Sequence, residues 1–136
     1  MVIEANGDLR RYLGCARPTL GRRPPPARLW NEILLSSRLM EYEIWTRLHA
    51  RQLAESHGET ARLLIGRIAL LELSSPVLAR ALDAFPTSVR TLDALHLASC
   101  EYLRKQGQSI ALASYDARMT ALARAMGFPI FNLEPA

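Results

Sequence analysis

Short apolar runs alternate with helix-length segments along most of this chain, and that alternation restricts it to one class of fold. Strand-like runs occur at Met1 to Ala5, Ile33 to Ser36, Ser109 to Tyr115 and Pro129-Ile130-Phe131. Helical patterning fills the spaces between them. A strand that returns to the same sheet through a helix lies parallel to its predecessor, with the helix over one face. The expectation is an α/β fold of three layers, α/β/α, around a central parallel sheet of four or five strands. With 136 residues the chain has the size of a single domain, taken as 1–136, and can bury a core.

Punctuation residues set the expected element ends. Asp8 to Gly14 reads as a short helix stopped by glycine, and the loop after it holds Pro18, Gly21 and Pro24-Pro25-Pro26. Ser37 is the expected N-cap of a helix running to Glu55, with Leu39, Tyr42, Glu43, Leu48 and Leu53 near one face. Ser56-x-x-Glu59 resembles a capping box that opens a helix to about Leu73. Pro76 suits the first turn of the next helix, which ends by Phe85-Pro86. Ser88 to Gln106 is a further helix closed by Gly107, and Asp116 caps a last one that Gly127 stops.

Composition excludes several classes. A 49% hydrophobic and 22% charged chain is globular and not disordered. The most apolar stretch, Leu63 to Leu82, is interrupted by Arg67, Glu72, Pro76 and Arg80, so no membrane span is expected. The first residues meet an acid at Glu4 and show no secretory pattern; Cys15 and Cys100 have no metal or redox spacing. A reducing, cytoplasmic setting is the expectation. The net charge of +4 invites a polyanionic partner, and all basic residues except Lys105 are arginines, whose forked guanidinium suits phosphate. A GC-rich coding sequence gives the same Arg excess.

Chemistry concentrates in the acids. Asp93 interrupts the apolar helical run Thr91-Leu92-Asp93-Ala94-Leu95-His96-Leu97-Ala98, and Asp116 directly follows a strand. Glu4 is expected at the end of the first strand and Glu43 on the buried stripe of a helix. An unpaired charge on an apolar face costs several kcal/mol. In doubly wound sheets the ligand site lies beyond the carboxyl ends of the strands, where Glu4 and Asp116 are expected to meet. Four carboxylates without Cys or a neighbouring His suit Mg²⁺ or Mn²⁺, and a bound Mg²⁺ can activate water for attack on a phosphodiester. Asn6 and Ser114, each two residues from an acid, can hydrogen-bond the ligands from behind. Each acid also has a plain structural explanation: Asp116 as a cap, Asp93 as a first-turn acid, Glu43 paired with Arg47, Glu4 as a strand-end charge.

Leu92-Asp93-Ala94-Leu95-His96-Leu97-Ala98, then Ser114-Tyr115-Asp116-x-Arg118-Met119 and Ala125-Met126-Gly127-Phe128-Pro129, together resemble the PIN domain of the VapC type. Ser37-x-Leu39-x-x-x-Glu43 resembles that family's central helix signature. The resemblance implies a metal-dependent endoribonuclease, the toxin of a bacterial toxin–antitoxin pair. Glu43, Asp93 and Asp116 then stand as catalytic Mg²⁺ or Mn²⁺ ligands, joined by Glu4 where the family has Asp. It also implies an RNA substrate, a cognate antitoxin bound across apolar helices, and a homodimer. The longer Glu4 leaves open a second reading, an impaired module acting through protein or RNA binding.

The arginines Arg10, Arg11, Arg22 and Arg23 are the expected RNA-steering set. His96, one turn after Asp93, reads as a packed core residue, His49 and His57 as surface residues, and Trp30 and Trp45 as core or partner contacts.

Overall fold

A computed structural model describes residues 2–6, 9–13 and 26–134, the first two spans through their backbone alone. The element order is β1 (Val2–Asn6), β2 (Leu9–Leu13), a 3-10 turn (Ala27–Asn31), β3 (Ile33–Ser37), α1 (Leu39–Ala50) and α2 (Ala54–Gly66), followed by β4 (Ile68–Leu71), α3 (Ser75–Ala81), α4 (Thr91–Lys105), β5 (Ile110–Leu112) and α5 (Ala117–Ala125). Helices and a sheet containing parallel pairs make this an α/β fold. β3 runs parallel to β4, from Leu34 beside Ile68 to Ser37 beside Leu71, and β2 runs parallel to β3 and β5.

Strand alternation divides the core. Leu34, Ala111 and Ala113 pack with Met40, Ile44 and Leu48 of α1 and Ala61 of α2. Leu35, Ile110 and Leu112 pack instead with Leu97 and Leu103 of α4 and Met119 and Leu122 of α5. Successive residues on a strand face opposite ways, so helices cover both faces of the sheet. α4 lies close to it because its inward residues Ala94, Ala98, Ser99 and Cys100 are small. Burial pushes the Cys100 thiol up to about 12, so it stays protonated and behaves as a small apolar group. No helix among the described residues is long and apolar enough to cross a membrane.

Five local expectations are corrected. Residues 9–13 form strand β2, not a helix, and β1 lies antiparallel to it, with Val2 opposite Leu13 and Asn6 opposite Leu9. Two residues cannot carry a crossover, so strands this close in sequence pair as antiparallel neighbours. β1 is also antiparallel to β5, not parallel as expected. The segment that reads as the end of a helix to Leu73 holds β4: a four-residue apolar run has no period that separates strand from buried helix. α2 starts at Ala54, so Ser56 lies inside it and its hydroxyl donates to the Leu53 carbonyl instead of opening a capping box. Ser37 ends β3 and caps nothing: Arg38 occupies the N-cap of α1.

The last third of the chain follows its punctuation. Asp116 caps α5, accepting from the backbone N–H groups of Arg118 and Met119 at 2.9 and 3.2 Å. Gly107 and Gly127 close α4 and α5 with φ of 84° and 85°. The N–H of Phe128 then reaches back to the Ala123 carbonyl. Beyond it, Ile130 bridges Leu112 in parallel, where Pro129 to Phe131 is expected as an edge strand.

Two glycines that terminate helices should therefore respond oppositely to alanine. Gly127→Ala forces a left-handed conformation on an L-residue and should cost about 1–2 kcal/mol in urea denaturation. Gly66→Ala has a right-handed site and open space, and should be neutral or stabilise by up to ~1 kcal/mol. Equal destabilisation of both would contradict this account of the helix ends.

Candidate active site

Asp116 reaches the site because β5 ends at Leu112 and the chain turns over four residues into α5. The Ser114 hydroxyl accepts the Asp116 backbone N–H at 3.1 Å, which fixes the turn from behind. Ser114 thus supports the backbone of Asp116, whereas the expectation was support of its carboxylate. Asp93 arrives from the first turn of α4. Both acids line one cleft of about 300 Å³, together with Ser88, Arg90 and Arg118. Burial raises the Asp93 carboxyl above the usual aspartate range; the Asp116 charge raises it further, and that of Glu43 also contributes. His96 and Arg90 oppose part of that rise.

Glu43 is held differently. Its Oε1 lies 2.6 Å from His96 Nε2, and His96 Nδ1 lies 2.9 Å from the Ser37 hydroxyl. His96 is 1% exposed and Ser37 fully buried. This contact joins residues 53 apart in sequence. The sequence reading missed the role of His96 and Ser37, treating one as core and the other as a cap. The available signal was a polar residue within or directly after an apolar run: His96 between Leu95 and Leu97, and Ser37 after the strand-like run Ile33 to Ser36. Arg90 and Arg118 were also missed, though they stand three residues before Asp93 and two after Asp116.

Of the four carboxylates expected to converge, the three described ones, Glu43, Asp93 and Asp116, are not gathered around one point. Among the described residues, no three His, Cys, Asp or Glu groups are close enough to share a metal ion. Like charges in a partly desolvated cleft separate, and two of them take donors of their own: backbone amides for Asp116 and His96 for Glu43. The backbone register places Glu4 opposite Ile110, at the end of β5 away from Asp116. The side chains of Glu4, Asn6, Arg10 and Arg11 lie outside the described residues, as do Arg22 and Arg23 entirely. Arg10 and Arg11 belong to strand β2, not to a helix. His49 is exposed 6.1 Å from the Trp45 ring, and His57 is exposed against Ser56. Trp30 and Trp45 pack partly buried against the core, under Arg67 and Arg62.

The PIN domain family matches residues 21–125. The chain belongs to the PIN domain family. The match covers Glu43, Asp93, Asp116 and the His96 contact, and begins after Glu4 and Asn6. The chain is 33% identical over 82 residues to Ribonuclease VapC47 of Mycobacterium tuberculosis (strain CDC 1551 / Oshkosh), an alignment covering 60% of the chain. It spans 59% of the length of that curated relative. No solved structure matches the chain.

The electrostatics of this PIN site give a signed expectation. A carboxyl whose folded pKa is raised favours folding below its unfolded pKa and loses that contribution as pH rises through the folded value. Asp93→Asn protein should therefore melt higher than wild type at neutral pH. The gap should close as pH falls below the ordinary aspartate range. Millimolar Mn²⁺ should raise the wild-type melting temperature more than that of the variant. A gap independent of pH would show that Asp93 bears no unfavourable charge in the folded state.

Proposed function

We propose that this PIN domain is an Mg²⁺- or Mn²⁺-dependent endoribonuclease, the toxin of a toxin–antitoxin pair. The observation that carries the reading is the cleft itself: Asp93 and Asp116 line it together, and the charge of Glu43 reaches Asp93. Their mutual repulsion is what a divalent cation would relieve, and hard carboxylate oxygens are the donors that Mg²⁺ and Mn²⁺ take. Asp93 and Asp116, which line the cleft together, would hold the cation, and Glu43, tied to His96 in this structure, would be a third ligand. When bound, the cation supplies Lewis acidity toward water and the phosphodiester oxygens. Arg90 and Arg118, on the same cleft wall, offer guanidinium groups to the backbone phosphate, which orients the scissile bond. The similarity to a curated ribonuclease supports RNA as the substrate.

The same reading takes residues 1–136 as one PIN domain of three layers about a central sheet of four or five strands, acting in the cytoplasm. A protein partner such as an antitoxin is supported by an apolar groove of about 800 Å³ between α3 and α4. Leu78 and Leu82 on its wall are 45% and 88% exposed. A homodimer belongs to the same proposal.

A second reading is favoured by one observation. Through its backbone Glu4 pairs with Ile110, the residue of β5 farthest from Asp116, and it lies outside the family match. A PIN module that binds protein or RNA without turnover would fit that arrangement.

Purified protein incubated with a mixed RNA pool and Mn²⁺ should cleave it. Asp93→Asn should lose at least about 10²-fold in rate, and EDTA should abolish cleavage. Intact RNA from folded wild-type protein, unrestored by Glu4→Asp, would favour the binding module. Arg10, Arg11, Arg22 and Arg23 remain the proposed steering residues. For Arg22→Ala/Arg23→Ala the salt slope of RNA affinity should fall by about 1–2; an unchanged slope removes these two residues from the interface.

A further inference from the structure

Each acid of the cleft has an arginine beside it in the chain. Arg90 stands three residues before Asp93, at the N-cap of α4, and Arg118 follows Asp116 by two, in the first turn of α5. Among the described residues that line the cleft these four are the ionisable ones, two of each sign. A space of about 300 Å³ is roughly 8 Å across, within the Debye length of physiological salt, so charges on its walls act on one another. Yet neither guanidinium closes an ion pair among the described residues, and both side chains are exposed. Other arginines beside acids do pair: Arg38 takes Glu72 and Glu41, Arg80 takes Glu101, and Arg104 takes Glu101 at 3.5 Å.

Near but unpaired, the two arginines act in opposite senses on the two ligands of the cleft. With no RNA present, a guanidinium close to the carboxylates offsets the negative charge that draws a divalent cation in. No ion pair has to break before it turns toward a phosphate, so the turn costs little beyond side-chain entropy. A phosphodiester that accepts from the guanidiniums neutralises them, and the carboxylates then meet the cation with their full charge. We propose, resting on the nuclease reading, that Arg90 and Arg118 are exchangeable counter-charges: they hold metal affinity down until an RNA phosphate engages them, so that RNA and metal bind cooperatively. The coupling is reciprocal, and metal tightens RNA by the factor with which RNA tightens metal.

The test is calorimetric titration of Mg²⁺ into the full chain and into its Arg90→Gln, Arg118→Gln and doubly substituted variants, in chloride or sulfate at matched ionic strength. Sulfate is the probe for a tetrahedral anion, and its own pairing with Mg²⁺ in solution works against the expected effect. Each single variant should bind Mg²⁺ about three- to tenfold tighter than wild type in chloride, the scale of one charge acting across a partly screened cleft. Sulfate should tighten Mg²⁺ binding to wild type and not to the double variant. In EDTA, each single variant should bind single-stranded RNA more weakly, with a salt slope lower by about 0.7. Single variants that bind Mg²⁺ no tighter than wild type would overturn the counter-charge role and leave the nuclease reading standing. Sulfate that leaves wild-type Mg²⁺ affinity unchanged would overturn the coupling, whether or not the variants fold. An RNA salt slope indifferent to both substitutions would overturn the phosphate contact. No Mg²⁺ binding by wild type or any variant would refute the metal-dependent nuclease itself, and the cooperativity with it.

Discussion

The close approach of α4 to the sheet is the constraint from which the site follows. Ala94, Ala98, Ser99 and Cys100 present little bulk on its inward face, and Leu97 fills what space remains. A helix at that distance carries Asp93 up to the cleft it shares with Asp116, and carries His96 to the end of β3. Larger residues on that face would overpack the core or push the helix outward. Either way the contacts of His96 with Ser37 and Glu43, both under 3 Å, would be the first to open.

Within that frame the molecule manages negative charge by giving acids separate partners. Asp116 accepts backbone amides at the start of α5, where the helix dipole also favours it. Glu43 is held by the His96 ring nitrogen at 2.6 Å. Asp93 has the least help, and burial and its neighbours raise its carboxyl. Acids elsewhere are treated differently: Glu101 is paired with Arg80, which also covers the Phe85 ring, and Glu72 is paired with Arg38 on the surface.

Legibility followed the locality of the signal. Asp116 as a cap, Gly107 and Gly127 as stops and Pro76 in a first turn were readable because each depends on a few adjacent backbone groups. β4 was not, because Ile68-Ala69-Leu70-Leu71 has no period of its own and becomes a strand by pairing with β3. Ser37 reads as a cap by residue type. It is buried and hydrogen-bonded because His96, 59 residues later, reaches it. The acids Asp93 and Asp116 were recognisable by their place beside apolar runs. That Glu4 would lie level with the start of β5 was not.

The sequence by itself determined which side chains carry charge, where the C-terminal helices begin and end, and membership of the PIN family, since these rest on residue identity and short-range hydrogen bonding. Tertiary structure decided the direction of β1, the strand character of β2 and β4, and the separation of the carboxylates into an Asp93–Asp116 cleft and a Glu43 held by His96. Those outcomes depend on partners tens of residues away. Strand pairing and desolvation exist only once such partners are packed together, so no local pattern can encode them alone.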